Sequence, residues 1–194
     1  MRHYDIADFN REEHERLEEK QLERQEIFDG KILHVVRDEV ELPNGHRAGR
    51  EMIDHIGAVC IVPVTEDGQV YVERQFRYPL GRVITEIPAG KLDSDEEDIL
   101  EAAKRELHEE TGLLADCWTE LGLFFPAAAY CNEVITMFLA RGLHQGASHP
   151  DEGEFVNVEK IPLQTLLDQV MDGQIDDGKT IIAILKAAKL LGLK

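Results

Sequence analysis

Three glutamates lie close together in one predicted helix and could bind a metal ion. Glu106, Glu109 and Glu110 follow helical spacings of three and four residues, so they point to one side of the helix. On the helical wheel Glu110 falls between Ile99 and Ala103, which belong to the apolar side. Carboxylates at the margin of a buried face repel one another and lose hydration, and a cation is the usual remedy.

Mg²⁺ suits such a cluster, and Mn²⁺ is an alternative. Mg²⁺ takes oxygen ligands in octahedral geometry and is commonly held by a few carboxylates together with substrate phosphates. The same residues also fit an acidic surface helix in which Glu101 and Arg105 form an ion pair across one turn. Helix geometry alone leaves both interpretations open.

The helix that carries these glutamates has recognisable ends. Ser94, followed three residues later by Glu97, has the form of a capping box, and Gly112 is well placed to end the helix in a left-handed conformation. We therefore predict a helix from about Asp95 to Thr111. Its solvated side is predicted to carry Glu101, Lys104 and His108.

The rest of the chain predicts strands followed by two late helices. An alternating apolar pattern from Ile27 to a turn at Pro43-Asn44-Gly45 predicts a hairpin, and a second β-rich stretch continues to about Ile87. Further elements are strands near 119–125 and 133–140 and helices near 162–172 and 179–191. This order predicts a mixed α/β/α layering. The charged residues 5–26 predict a solvated helix or a loosely held arm.

Composition and charge limit the kinds of partner. The chain of 194 residues is long enough for one domain with a small appended module. Its net charge of -18 would repel a phosphate backbone, since nucleic-acid binding depends on lysines and arginines that neutralise phosphates. We therefore expect no nucleic-acid partner, and a phosphate bound here would need a metal cation beside it.

Hydropathy and cysteine usage indicate a cytoplasmic protein without a membrane partner. No stretch approaches the roughly 20 apolar residues that span a bilayer. The charged N-terminus lacks the apolar core of a signal peptide. Cys60, Cys117 and Cys131 form no CxxC pair and no even set, so we predict buried, unpaired thiols.

The segment from residue 88 to 114 resembles the Nudix box, in which glycine, five residues, glutamate and seven residues precede Arg-Glu-aliphatic-any-Glu-Glu-any-Gly-aliphatic. The second half is matched without a gap by Arg105, Glu106, Leu107, Glu109, Glu110, Gly112 and Leu113. Glu97 stands eight residues before Arg105, as the pattern requires, whereas Gly90 lies one residue too far upstream. The insertion leaves either Glu96 or Glu97 as the structural partner of Arg105.

The resemblance implies a fold, a reaction and a set of metal ligands. The fold would be a Nudix-type α/β/α sandwich with a mixed sheet, and the reaction would be hydrolysis of a diphosphate. The implied ligands are the carbonyl of Ala89 and the carboxylates of Glu106, Glu109 and Glu110. A water activated by the metal ions and a glutamate would attack phosphorus, and Glu109 is one candidate for that glutamate.

An acidic segment, Asp151-Glu152-Gly153-Glu154, is a second source of carboxylates. In members of the family such a loop supplies the general base or a further metal ligand. Glu152 is therefore a candidate for the base, with the box glutamates as the alternative, and Glu154 is a candidate auxiliary ligand. A solvated acidic loop fits the same residues.

Segments outside the box resemble the ADP-ribose pyrophosphatase branch of that family. They are Arg50-Glu51, Gln75-Phe76-Arg77, Pro88-Ala89-Gly90 and the late run from Gly173 to Thr180. The resemblance implies an N-terminal β module over residues 1–55 used in homodimerisation, followed by a catalytic domain over residues 56–194. It also implies that Arg50, Arg77 and Glu133 lie at the substrate, which would be cleaved to AMP and ribose 5-phosphate.

One departure from the branch concerns the substrate. The branch usually carries a proline sixteen residues after the box glycine, where this chain has Ala128, and Pro126 stands two positions early. ADP-ribose is therefore the first candidate, and another nucleotide sugar is an alternative. A catalytically weak Nudix-fold ligand sensor is a third hypothesis, against which the complete glutamate set argues.

A competing motif lies near the end of the chain. Residues from Gly173 to Thr180 satisfy the P-loop pattern G-x-x-x-x-G-K-T. The segment before them predicts a helix where a P-loop requires a strand, and Asp176 and Asp177 would repel phosphates. We therefore interpret the motif as a loop that does not bind a nucleotide.

Overall fold

The structure, a computed structural model, describes residues 11–146 and 156–193. The chain forms two compact units. The first comprises Met1–Ile56 and Ala127–Glu133, and the second comprises Gly57–Pro126 and Val134–Lys194. The first unit thus takes in a later segment of the chain as well as the N-terminal residues.

The first unit is built on one antiparallel sheet. Its elements are α1 (Arg11–Leu17), β1 (Lys20–Asp29), β2 (His34–Glu41) and β3 (Arg47–Asp54). The strands pair in the order β1-β2-β3, and a turn at Gly45, where φ is +79°, connects β2 to β3. The paired strands and the turn between them confirm the predicted hairpin. Glycine suits this turn because it adopts the left-handed conformation without a steric cost.

Strand β1 corrects one prediction. Residues 5–26 are predicted to form a helix or a loose arm; α1 confirms the helix within this range, whereas residues from Lys20 onward are a strand hydrogen-bonded to β2. All ten residues of β1 are exposed within the chain. No alternation of buried and exposed side chains therefore marks this strand, and its conformation depends on backbone pairing.

The described residues of the second unit form two sheets and three helices. The strands are β4 (Ala58–Pro63), β5 (Gln69–Arg77), β6 (Arg82–Glu86), β7 (Ala89–Lys91), β8 (Leu113–Phe124), β9 (Ile135–Gln145) and β10 (Val156–Pro162). The helices are α2 (Ile99–Thr111), α3 (Leu163–Met171) and α4 (Gly178–Leu190), with a 3₁₀ turn at Tyr78–Leu80. One sheet has the order β7-β4-β9-β8 and the other β10-β5-β6. Since β4 runs parallel to β9 and the remaining pairs are antiparallel, the unit has the predicted mixed α/β fold.

Strand β4 lies at the centre of the core and is buried on both faces. Alternate residues, such as Cys60 and Val62, pack in one cluster with Ala183 and Ile184 of α4. The intervening Val59 and Ile61 are also fully inaccessible and point to the opposite face. Helix α2 contacts β4, β7 and β8, so the sheet carries a helix on each face.

The C-terminal end of α2 agrees with the prediction from the sequence, and the N-terminal end does not. The helix stops at Thr111, and Gly112 follows with φ of +71°, as predicted. It begins at Ile99, four residues later than expected, because Asp98 is the N-cap and accepts hydrogen bonds from the two backbone amides that follow Ile99. The predicted capping box is wrong, since Glu97 instead binds the Asp93 amide and Arg105.

The predicted late helices are confirmed as α3 and α4. In the described ranges, no helix has the length and apolar character needed to cross a membrane. The prediction of buried thiols holds for Cys60, whose pKa burial raises to about 12, but is wrong for Cys117, which lies exposed on β8. Cys131 is partly buried.

Candidate metal and phosphate site

Helix α2 brings three glutamates against the short strand β7. Glu106 is itself buried, and Glu109 and Glu110 lie beside it with partial exposure. The amide of Ala89 donates a 2.9 Å hydrogen bond to Glu110 Oε2. The acids therefore lie at the margin of the buried side of the helix, as the helical wheel predicts.

Gly90 is the point at which β7 comes nearest to α2. A Cβ atom built on Gly90 would overlap the carboxyl group of Glu106, well inside the 3.0 Å that real Cβ contacts respect. Only glycine leaves space for this carboxylate. The box glycine thus leaves room for the carboxylate of a glutamate sixteen residues later in the chain. The spacing pattern alone does not reveal this contact.

Arg105 is the cation that the chain itself supplies to this cluster. Its guanidinium donates hydrogen bonds to Glu97 Oε1 at 3.1 Å, Glu106 Oε1 at 2.8 Å, Glu109 Oε2 at 3.0 Å and the carbonyl of Lys91 at 3.1 Å. Burial lowers the pKa of Arg105, but the hydrogen bonds to Glu97 and Glu106 raise it by a larger amount. The pKa of Arg105 is therefore above its ordinary value. Of the two residues proposed as its structural partner, Glu97 is the one bonded to it.

The acidic surface helix considered as an alternative does not describe α2. Glu101 pairs with Lys104 at 2.7 Å, and the hydrogen bonds of Arg105 go to other acids. Glu101 is exposed as predicted, whereas His108 is only partly exposed and its Nδ1 is buried without a hydrogen-bond partner among the described residues. The His108 ring packs against Gly146.

The backbone of Ala89 faces the glutamates. The amide of Ile61 on β4 donates to the carbonyl of Pro88 at 2.9 Å. In an antiparallel pair consecutive residues direct their backbone polar groups to opposite sides, so the N–H and C=O of Ala89 point away from β4. The bond from this N–H to Glu110 shows that they point toward α2.

The donors fit Mg²⁺ although no cage of side chains is preassembled. Within residues 11–146 and 156–193, no group of three His, Cys, Asp or Glu side chains has the arrangement of a metal site. The carboxylates of Glu106 and Glu109 are turned to Arg105, and that of Glu110 to Ala89. Mg²⁺ retains several waters and binds through one or two carboxylates plus substrate phosphates, so a set of hard oxygens on one helix side is sufficient.

Arg77, at the end of β5, forms a bidentate pair with Glu86 on β6. Its Nε and Nη2 atoms donate to the two carboxylate oxygens at 2.6 and 2.9 Å. Glu86 is buried, and Lys179 of α4 also donates to it. The bond from Glu86 raises the pKa of Arg77 although burial opposes it, and Glu110 adds to the rise through its charge, which places Arg77 in the electrostatic field of the acidic cluster.

Two other predicted substrate residues belong to the first unit. Arg50 on β3 donates through Nε to Glu19 at 2.8 Å. Glu133 lies with its carboxylate 3.9 Å from His55 Nε2, and its amide donates to Cys131 Sγ at 3.4 Å. The structure thus groups Ala89, Glu106, Glu109 and Glu110, with Arg77 in the same unit. Glu152 and Glu154 lie outside the described residues.

Comparison with known proteins assigns both parts of the chain. Residues 54–182 match the NUDIX domain model, and residues 19–53 match the nucleoside diphosphate sugar hydrolase N-terminal domain model. A solved structure described as an ADP compounds hydrolase superposes with a TM-score of 0.77, covering 89% of this chain and 94% of the other at 24% identity. That likeness establishes the fold.

Three curated relatives extend over most of the chain. An ADP-ribose pyrophosphatase of Bacillus subtilis is 41% identical over 170 residues, which is 87% of this chain and 91% of the relative. A methanol dehydrogenase activator of Bacillus methanolicus is 37% identical, covering 86% and 91% of the two chains. An ADP-ribose pyrophosphatase of Mycobacterium tuberculosis is 32% identical, covering 82% and 78%.

Proposed function

Since the chain belongs to the Nudix family and is a hydrolase, we propose that it cleaves the diphosphate of ADP-ribose to AMP and ribose 5-phosphate with Mg²⁺. One observation carries the proposal. Glu110 accepts a hydrogen bond from the outward-facing backbone of Ala89, and Glu106 lies against Gly90. Arg105 binds Glu106 and Glu109 beside them. The two ADP-ribose pyrophosphatases among the relatives support the choice of substrate.

The metal would be held by the carbonyl of Ala89 and the carboxylates of Glu106, Glu109 and Glu110, with Glu154 as an additional ligand. Mn²⁺ is the alternative ion, because the same hard oxygen donors suit both. When bound, the metal neutralises charge that develops on the phosphate oxygens and activates a water molecule.

Glu109 has the properties of a general base. Arg105 binds Oε2, while Oε1 has no hydrogen-bond partner among the described residues, and 32% of the side chain is exposed. The carboxylate can therefore accept a proton from a water molecule as the water oxygen bonds to phosphorus. The bridging P–O bond breaks, and the bridging oxygen leaves with the other phosphate. Glu152 is the second candidate for this role.

Arg77 can contact the phosphates while Glu86 holds it. The bidentate pair uses Nε and Nη2, and Nη1 has no hydrogen-bond partner among the residues described. With 42% of its side chain exposed, Arg77 is accessible from solvent. Arg50 and Glu133 are proposed as further substrate contacts.

A substrate panel tests the function. The protein is incubated with Mg²⁺ and ADP-ribose, GDP-mannose or another nucleoside diphosphate sugar, and the products are separated by chromatography. We expect the highest kcat/KM for ADP-ribose, with AMP and ribose 5-phosphate as products. A higher kcat/KM for another nucleotide sugar would transfer the assignment to that second class, which Ala128 favours. Binding without cleavage would indicate a ligand sensor and contradict the proposal.

The first unit is proposed as a module for homodimerisation. Large apolar side chains are exposed along and after β1, namely Leu22, Ile27, Phe28, Ile32 and Leu33. Several large apolar side chains exposed within one short segment are typical of a protein interface. Light scattering should give twice the chain mass of 22.0 kDa. A Phe28→Asp variant should shift toward the monomer, and a monomeric wild-type protein would contradict the proposal.

A further inference from the structure

The late Gly-Lys-Thr run, which matches the P-loop pattern in sequence, forms buried contacts in the second unit. Asp177 is the N-cap of α4 and accepts hydrogen bonds from the amide and hydroxyl of Thr180, at 3.0 and 2.6 Å. The Thr180 hydroxyl in turn accepts a 3.0 Å bond from the amide of Ile87. The start of α4 is therefore bonded to the residue that precedes Pro88 and Ala89.

Lys179 lies in the same buried network. Its ammonium donates to Glu86, and at 3.1 Å to Asp177. Only 11% of the Lys179 side chain and 4% of the Glu86 side chain are exposed. Burial alone would suppress both charges, yet the charges of Asp177 and Glu86 raise the pKa of Lys179. Both members of this pair are thus ionised at neutral pH.

Glu86 is shared between two cations with different surroundings. Lys179 is almost fully buried, whereas 42% of the Arg77 side chain is exposed. Together with Asp177 these residues carry two positive and two negative charges, so the group is neutral. Without Lys179 it would carry one net negative charge, and the field of Arg77 would be cancelled by Glu86 at the place where an anion must bind.

We propose that Lys179 is a positioning residue for the substrate: it shares the charge of Glu86, so that Glu86 can orient Arg77 without neutralising it toward the diphosphate. This inference rests on the proposed function only in taking Arg77 as a phosphate contact. The chain has a net charge of -18, which repels an anionic substrate. An arginine whose charge is not neutralised would offset this repulsion where the diphosphate binds. With 11% of its side chain exposed and its ammonium bonded to Glu86 and Asp177, Lys179 is assigned no direct contact with the substrate.

The test compares charge-changing variants of the full-length protein. ADP binding in the presence of Mg²⁺ is measured by isothermal titration calorimetry, and KM and kcat are measured with ADP-ribose. The variants are Lys179→Met, Lys179→Arg and the double variant Glu86→Gln with Lys179→Met. Lys189→Met is the matched control, because Lys189 is an exposed lysine on the same helix. Thermal melts establish that each variant is folded.

Lys179→Met should raise the Kd for ADP and the KM by about tenfold, with kcat changed by less than about threefold. Lys179→Arg should remain within about threefold of wild type, as should the control. The double variant restores neutrality, so it should recover most of the lost affinity, which a purely structural role would not produce.

Three results would overturn the inference: wild-type affinity in a folded Lys179→Met, a fall in kcat at unchanged KM, or a double variant that binds ADP as weakly as Lys179→Met. Should Lys179→Met not fold, the affinity of the double variant decides the question. Failure of the wild-type protein to hydrolyse ADP-ribose would contradict the proposed function alone, since ADP binding still compares the variants.

Discussion

Gly90 and Glu106 are packed so closely that the glycine has no room for a side chain, because a Cβ atom would overlap the glutamate carboxyl group. This contact joins strand β7, which carries the backbone of Ala89, to the helix that carries the acids. A change at Gly90 should therefore displace a proposed metal ligand without touching the substrate.

Gly90→Ala should lower kcat at least about 100-fold and weaken Mg²⁺ activation, because the Glu106 carboxylate must move. The measurement is kcat as a function of Mg²⁺ concentration. Gly49→Ala is the control, since the nearest atoms to a Cβ at Gly49 are 3.7 Å away and the backbone needs no positive φ. Equal activity of the two variants would contradict the steric role of Gly90.

Glu109→Gln should reduce kcat about 100-fold or more and leave the melting temperature close to that of wild type. The amide keeps the shape of the side chain but cannot take a proton from water or neutralise a cation. Glu101→Gln, on the exposed side of the same helix, should retain full activity. Wild-type turnover by Glu109→Gln would exclude Glu109 as base and ligand, and would direct attention to Glu152.

Arg105→Lys should destabilise the protein by about 2 kcal/mol, measured by urea unfolding. Lysine keeps the charge but cannot bond at once to Glu97, Glu106 and Glu109. Arg141→Lys, at an exposed position of β9, is the matched control and should cost little. An Arg105→Lys variant as stable as this control would show that charge alone holds the acids together.

Removal of the metal should abolish activity but preserve the fold. In the described structure Arg105 already binds Glu106 and Glu109, so the carboxylates are not left unpaired when metal is absent. Treatment with EDTA should leave the circular dichroism spectrum unchanged, and added Mg²⁺ should restore turnover and raise the melting temperature. Unfolding by EDTA would mean that the metal is structural.

Glu86 should contribute stability that is lost in acid. Burial raises the pKa of Glu86, but the bonds from Arg77 and Lys179 lower it by a larger amount. The pKa of Glu86 therefore lies below the ordinary 4.5. A carboxyl with a lowered folded pKa stabilises the protein above its unfolded pKa, and this contribution disappears as pH falls through the folded pKa. The stability difference between wild type and Glu86→Gln should therefore be constant above about pH 6 and shrink below 4.5. A difference that widens in acid would contradict the direction of this shift.

The sequence by itself determined the features that depend on local spacing. The glutamates of α2, the glycine that ends the helix and the two late helices all follow from helical periodicity and from the conformational freedom of glycine. The turn at Gly45 follows for the same reason. These features require only the interactions of residues within a few positions of one another.

Only the tertiary structure decided which groups face one another across the fold. Ile87 meets Thr180, and Glu86 meets Lys179, over separations of 93 residues in the chain, and no periodic pattern connects such positions. Strand β1 was hidden for a related reason, because its backbone pairs with β2 while its side chains remain exposed. Gly90 and Arg77 likewise acquire their roles from neighbours that the folded chain brings to them, since close packing and charge pairing depend on distance in space.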